Sequence, residues 1–185
     1  RADLIGAQSS QDLAVTLAML LTLPAAFGLY VLAEPTVNVL FERGAFAPSD
    51  TTATAAGLRY FCFGLPAFVL VRALQPSFFA RHDTRSPMID GAAGVAANIA
   101  LSLALFAQMG HLAIALATSV AGWLTLFLML VRLWRRDYWR PGLAIARALG
   151  VQCIAGLVMT AALGHVMQNW AMFVDFAALD LDARI

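Results

Sequence analysis

Phe61-Cys-Phe-Gly-Leu-Pro-Ala-Phe-Val-Leu-Val-Arg-Ala-Leu-Gln-Pro-Ser-Phe-Phe79 is an apolar run interrupted by a single charge, Arg72. About 20 predominantly apolar residues span the hydrocarbon core of a bilayer as a helix. A guanidinium keeps its charge at any physiological pH. Burying it at mid-helix in lipid costs roughly 2.5–3.5 kcal/mol on insertion scales. Such a residue is tolerated when it faces a cavity or a partner, so Arg72 is a candidate functional residue from the outset. Pro66 removes a backbone donor and strains the preceding turn. Gly64, Pro66 and Pro76 are therefore expected to act as hinge positions.

The rest of the chain is similar in kind. It is 61% hydrophobic and 12% charged, about half the charge of an ordinary globular domain. This composition predicts an all-α polytopic membrane protein rather than a soluble helical core. Five spans are read, at about 13–33, 54–79, 88–109, 112–134 and 143–167. The polar lead Gln8-Ser-Ser-Gln-Asp12 is expected to cap the first span, and Asp50 or a following Thr the second. Residues 37–41 read as a short interfacial continuation after Glu34-Pro35.

Arginine placement predicts orientation. All twelve basic residues are Arg. Loop 80–87 carries Arg81 and Arg85; loop 132–147 carries Arg132, Arg135, Arg136, Arg140 and Arg147. The opposite loops hold one Arg and three acids (34–53) or no charge (110–111). The positive-inside rule puts 80–87 and 132–147 in the cytoplasm, residue 1 with them, and the tail outside. Trp134, Trp139 and Trp170 fall at expected membrane interfaces.

Several function classes lose support here. No basic run is interleaved with base-stacking aromatics, so no nucleic-acid partner is expected. Cys62 and Cys153 match no metal or redox spacing and read as buried thiols. No nucleophile–base constellation is present; Asp83 and Asp90 read as loop or helix-end carboxylates. An enzyme and a bound metal are therefore not expected.

Arg72 has two readings. It forms a structural ion pair or snorkels to the interface, or it lines a polar cavity that receives an anion. Its planar fork suits phosphate, and Gln75 is close to one turn on. Arg59 reads as an outer-interface residue or a weaker substrate contact. Asn98 and Ser102 are four apart on one helix face, and Thr118 and Ser119 lie across the short Gly110 turn. These oxygens either hold a small monovalent cation or are simply interhelical packing. The small-residue run Gly91-Ala-Ala-Gly-Val-Ala-Ala97 reads as packing.

An ordered series of motifs now stands out. Leu40-Phe-Glu-Arg-Gly-Ala-Phe46, Asp50-Thr51, Tyr60, Gly64-Leu-Pro66 and Arg72-Ala-Leu-Gln-Pro-Ser-Phe-Phe-Ala-Arg-His-Asp-Thr-Arg-Ser-Pro87 resemble the MurJ/MviN lipid II flippases. Gly110-His-Leu-Ala-Ile-Ala-Leu-Ala-Thr-Ser119 is similar to that family's turn into its twelfth helix. The resemblance covers most of residues 13–135; beyond residue 140 only hydropathy matches. It places the chain in the multidrug/oligosaccharidyl-lipid/polysaccharide exporter superfamily, whose members have about fourteen helices in two lobes.

The resemblance implies a piece of a longer protein, with helices before Arg1. Residues 1–140 then correspond to helices nine to twelve of a partial C-terminal lobe. Residues 141–170 correspond to helix thirteen, an added groove helix, and 171–185 form a polar, truncated tail. It implies a transporter that moves the undecaprenyl-diphosphate-linked peptidoglycan precursor, lipid II, from inner to outer leaflet of the bacterial plasma membrane by alternating access. Arg72 then faces a cationic cavity and meets the diphosphate. The family's eleventh helix carries an Asn and an Asp four apart in a cation site; here Ser102 replaces the carboxylate, which puts that coupling in question. Implied partners are lipid II, membrane lipids and cell-wall synthesis proteins. The rival readings are another exporter of drugs or lipid-linked glycans, and a non-transporting scaffold for cell-wall enzymes.

Overall fold

A computed structural model describes the backbone of residues 2–44, 46–139 and 141–182, and the side chains of residues 8–44, 46–139 and 141–169. The described residues form six helices and no strand: α1 (Ala2–Val31), α2 (Ala33–Phe41), α3 (Pro48–Phe79), α4 (Arg85–Met109), α5 (Leu112–Arg135) and α6 (Leu143–Asp182). All but α2 are long and apolar enough to cross a membrane.

The helix boundaries depart from the sequence expectations in four places. The polar lead Gln8–Asp12 does not cap α1, which runs straight through it. Asp12 instead accepts a hydrogen bond from Trp139 Nε1 at 2.6 Å. Helix α3 begins at Pro48, not near Thr54. Pro48 has no N–H to leave unsatisfied in the first turn, and the Asp50 carboxylate accepts the Ala47 N–H at 3.0 Å. Helix α4 begins at Arg85 rather than near Met88, so Arg85 belongs to its first turn and not to a loop. Helix α6 runs on through the polar tail as far as Asp182. The side chains of Arg140 and Trp170, and all of residue 1, lie outside the described residues.

Helix α3 is continuous across Pro66 and Pro76. Pro66 leaves the carbonyl one turn earlier without its usual donor, and α5 braces this stretch. Ser119 Oγ donates to the Tyr60 carbonyl at 2.6 Å, and Trp123 Nε1 to the Phe63 carbonyl at 3.0 Å.

The packing order is α6–α1–α3–α5–α4, with α2 lying against α3. Helix α5 packs extensively on both α3 and α4, while α3 and α4 barely touch each other. The main core joins Val15, Leu74, Phe78, Met129, Leu133 and Trp139. The outward faces are strongly apolar and exposed: Leu21 is 76% exposed, Leu103 74% and Val151 66%. Faces of that kind are stable against lipid rather than water.

The arginine-rich loops meet at one end of the molecule. Arg81 Nη2 donates to the Tyr138 carbonyl at 2.8 Å, and its guanidinium stacks 4.5 Å from the Tyr138 ring centre. Two matched turns build this end. His82 and Asp137 take positive φ (56° and 54°). The N–H groups of Asp83 and Tyr138 then reach back to the Phe78 and Leu133 carbonyls at 3.0 and 2.9 Å. This is the left-handed helix ending in which the last carbonyls find donors.

A cleft between two helices floored by a third

Because α3 and α4 are held apart by α5, a cleft of about 470 Å³ opens between them. Three stripes of identical spacing line it: Phe68, Val71, Arg72 and Gln75 on α3; Gly91, Gly94, Val95 and Asn98 on α4; Thr118, Ala121, Gly122 and Thr125 on α5. Each follows i, i+3, i+4, i+7, the signature of one helix face. The stripes on α3 and α4 are the walls, and the stripe on α5 is the floor.

Arg72 and Gln75 thus share one wall. Among the described residues Arg72 has no hydrogen-bond or ion-pair partner. Its guanidinium is exposed to the cleft rather than neutralised, so the cleft carries a free positive charge. A structural ion pair within the described residues does not account for it.

Asn98 and Thr118 lie on the opposite wall and the floor. Thr118 Oγ1 is 3.5 Å from Asn98 Oδ1, and Ser102 Oγ is 3.3 Å from the same atom. Thr118 also donates to the Ile114 carbonyl at 2.7 Å. Asn98, Ser102 and Thr118 cluster as expected, although Ser102 stands one turn beyond the cleft lining; Ser119 does not join them, because its hydroxyl donates to the Tyr60 carbonyl at 2.6 Å. Their oxygens are all neutral. No group of three or more His, Cys, Asp or Glu side chains suited to a metal exists among the described residues.

Arg59 lies elsewhere. It pairs with Glu34 at 3.4 Å, both side chains substantially exposed, beside α2. The structure therefore brings Arg72, Gln75, Asn98 and Thr118 to one cleft and leaves Arg59 outside it.

The two glycines of the α4 wall differ in their surroundings. A methyl group on Gly94 would meet Thr125 Oγ1 at 2.1 Å, so α4 and α5 touch there; one on Gly91 would meet nothing within 4 Å. Gly94 is a close-approach glycine, whereas Gly91 faces the cleft.

One residue had a larger role than its sequence position suggested. Asp90 is fully buried. Its Oδ1 accepts from Arg132 Nε at 3.0 Å and lies 2.8 Å from Nη2, while Oδ2 has no hydrogen-bond partner among the described residues. The signal was available: a carboxylate inside an apolar helix needs a counter-charge. Which arginine supplies it required the fold. Nearer the surface, Asp83 pairs with Arg136. Hydrogen bonds from Ser86, first its hydroxyl and then its N–H, and the charges of Arg136 and Arg132 hold the Asp83 carboxyl below the ordinary carboxylate range.

Comparison with known proteins extends the reading beyond residue 140. The family model described as "Lipid II flippase MurJ" matches residues 2–179. A "Probable lipid II flippase MurJ" of Rhizobium meliloti (strain 1021) is 40% identical over 178 residues, 96% of this chain and 33% of that protein. Its counterpart in Rhizobium tropici is 41% identical over 164 residues, 89% of this chain and 31% of that protein. A solved structure titled "Lipid II flippase MurJ, inward closed conformation" superimposes with a TM-score of 0.68 at 20% identity, over 90% of this chain and 40% of that one. At that identity the likeness shows the fold. The chain spans about a third of the length of these curated relatives.

Proposed function

The chain belongs to the lipid II flippase MurJ family, and from that premise we propose that it is part of a transporter that moves lipid II across the bacterial plasma membrane. The substrate is an undecaprenyl-diphosphate-linked precursor, and the diphosphate is the part that must cross the apolar layer. The observation that carries this reading is Arg72, a cation without a partner among the described residues, facing a cleft between membrane-spanning helices. A guanidinium fork offers a phosphate two parallel charge-assisted hydrogen bonds, and Gln75 supplies a further donor from the same wall. Transport of this kind breaks no covalent bond. The arginine-rich end is the cytoplasmic end in this proposal, because arginine excess marks the inner side. Arg72 then sits in the inner half of the membrane and receives the headgroup from the cytoplasm. The two lobes of the whole protein rock around it.

The Asn98–Ser102–Thr118 oxygens belong to the same proposal as a place for a coupling monovalent ion. Three neutral oxygens suit a single positive charge better than a divalent one, which favours carboxylates.

The test is Arg72→Ala in the intact protein, reconstituted in vesicles with lipid II. Transport is expected to fall at least tenfold with normal insertion, and Arg72→Lys to recover part of it. An Arg72→Ala protein that inserts normally and transports at the full rate overturns the assignment.

A further inference from the structure

Phe68 stands on the same wall as Arg72, four residues before it. Its ring is held by two glycines. A methyl group on Gly122 would meet ring atoms at 2.4 and 2.8 Å, and one on Gly64 would meet them at 2.9 and 3.0 Å. The ring therefore reaches from α3 across to the floor helix, and only residues without a side chain leave it room. Gly122 is four residues past Thr118 on α5. Helices α3 and α5 run in the same direction, both ending in the arginine-rich turns. The ring thus lies one turn from Arg72 on α3 and one turn from Thr118 on α5. Four residues of helix advance about 6 Å, so Arg72 and Thr118 are separated by roughly 12 Å along the axes. An aromatic ring stands between them.

We propose that Phe68 is a positioning residue that partitions the cleft. On the side of Arg72 and Gln75 the cleft is cationic and suits an anionic headgroup. On the side of Asn98 and Thr118 it is neutral and oxygen-lined. The ring is an apolar step that an anion held at Arg72 does not cross. Gly64 and Gly122 leave the ring room beside the floor helix. This inference rests on the reading of the cleft as the substrate cavity.

A side chain at position 122 forces the ring to move, and the ring is the yielding partner because it is the free end of a side chain. Its open direction is the cleft. The experiment uses the intact protein purified in detergent, with every native cysteine, Cys62 and Cys153 among them, replaced by Ala. Single cysteines are placed at Val95, three residues from Asn98, and at Gly91, one turn nearer the arginine-rich end of α4. The readout is the alkylation rate with a water-soluble maleimide. Gly122→Ala is expected to slow alkylation of Val95→Cys at least fivefold and to change that of Gly91→Cys less than twofold. Adding Phe68→Ala to Gly122→Ala is expected to restore the Val95→Cys rate. Unchanged rates at both positions, an equal loss at both, or no rescue by Phe68→Ala overturns the partition. Transport separates the two readings. If Arg72→Ala abolishes transport while labelling ignores Gly122→Ala, only the partition falls. If Arg72→Ala transports normally, the cavity assignment falls whatever the labelling shows.

Discussion

Arg72 and Arg132 are the same side chain in two settings, and the contrast separates structure from function in this molecule. Arg132 lies on the α4–α5 seam, where the helices are in close contact. It gives a hydrogen bond from Nε and an ion-pair contact from Nη2 to one oxygen of Asp90, a carboxylate that is itself fully buried. Arg72 lies on the neighbouring α3–α4 cleft, where the helices stand apart, and it has no partner among the described residues. An arginine inside apolar helices must be compensated. On the seam the protein compensates it internally, and the charge serves the fold. In the cleft the charge stays available to something that enters. Closeness of the helices decides which outcome holds.

The comparison breaks first on stability. Arg132→Ala leaves Asp90 as a buried, uncompensated carboxylate, and removing one partner of a buried pair costs about 3–5 kcal/mol. The low end is expected, because Arg132 is 31% exposed. The thermal unfolding midpoint in detergent should drop clearly. Asp90→Asn in the same background should recover part of the loss. Arg72→Ala should do the reverse: stability within about 0.5 kcal/mol of the parent, as for a residue without partners, and transport reduced at least tenfold. Equal stability losses in the two alanine variants would erase the distinction between seam and cleft.

A smaller effect tests the geometry behind it. Gly94→Ala pushes a methyl group into Thr125 on the seam and should destabilise by about 1–3 kcal/mol, as overpacking does. Gly91→Ala, three residues away and facing the cleft, should be neutral within about 0.5 kcal/mol. Unfolding of the two variants side by side checks this; equal losses would mean that the cleft is closed. The smallest effect is expected at Arg59. Its pair with Glu34 is exposed, and exposed pairs contribute about 0–1 kcal/mol. Arg59→Gln should leave both the unfolding midpoint and transport near parental values. A severe transport defect there would draw Arg59 into the substrate path from which the structure separates it.

Much of this was legible in the sequence because the bilayer simplifies the problem. A backbone in hydrocarbon must satisfy its own hydrogen bonds, so long apolar runs become helices. Arg72 stood out for the same reason. Helical spacing put Gln75 on the face of Arg72 and Ser102 on the face of Asn98. Helix boundaries were less legible. Gln8–Asp12 resembles a cap, but Asp12 is drawn off by Trp139, 127 residues away in sequence. Asp90 was read as a helix-end carboxylate because its place near the start of the third span offered it an exposed position; its counter-charge, Arg132, is 42 residues away. Phe68 carried no signal, since one phenylalanine in an apolar helix resembles any other until its two glycines are known.

The sequence by itself determined that this chain is a set of membrane-spanning helices, which end carries the arginines, and that one charge sits where lipid would not tolerate it. Those conclusions follow from transfer energies and helical periodicity, which act residue by residue. Only the tertiary structure decided that α5 separates α3 from α4, that Arg132 rather than Arg135 or Arg136 neutralises Asp90, and that Arg72 opens into a cleft. Partner choice depends on distances between helices. Those distances are set by which small residues meet across a seam, and that is a property of pairs rather than of positions.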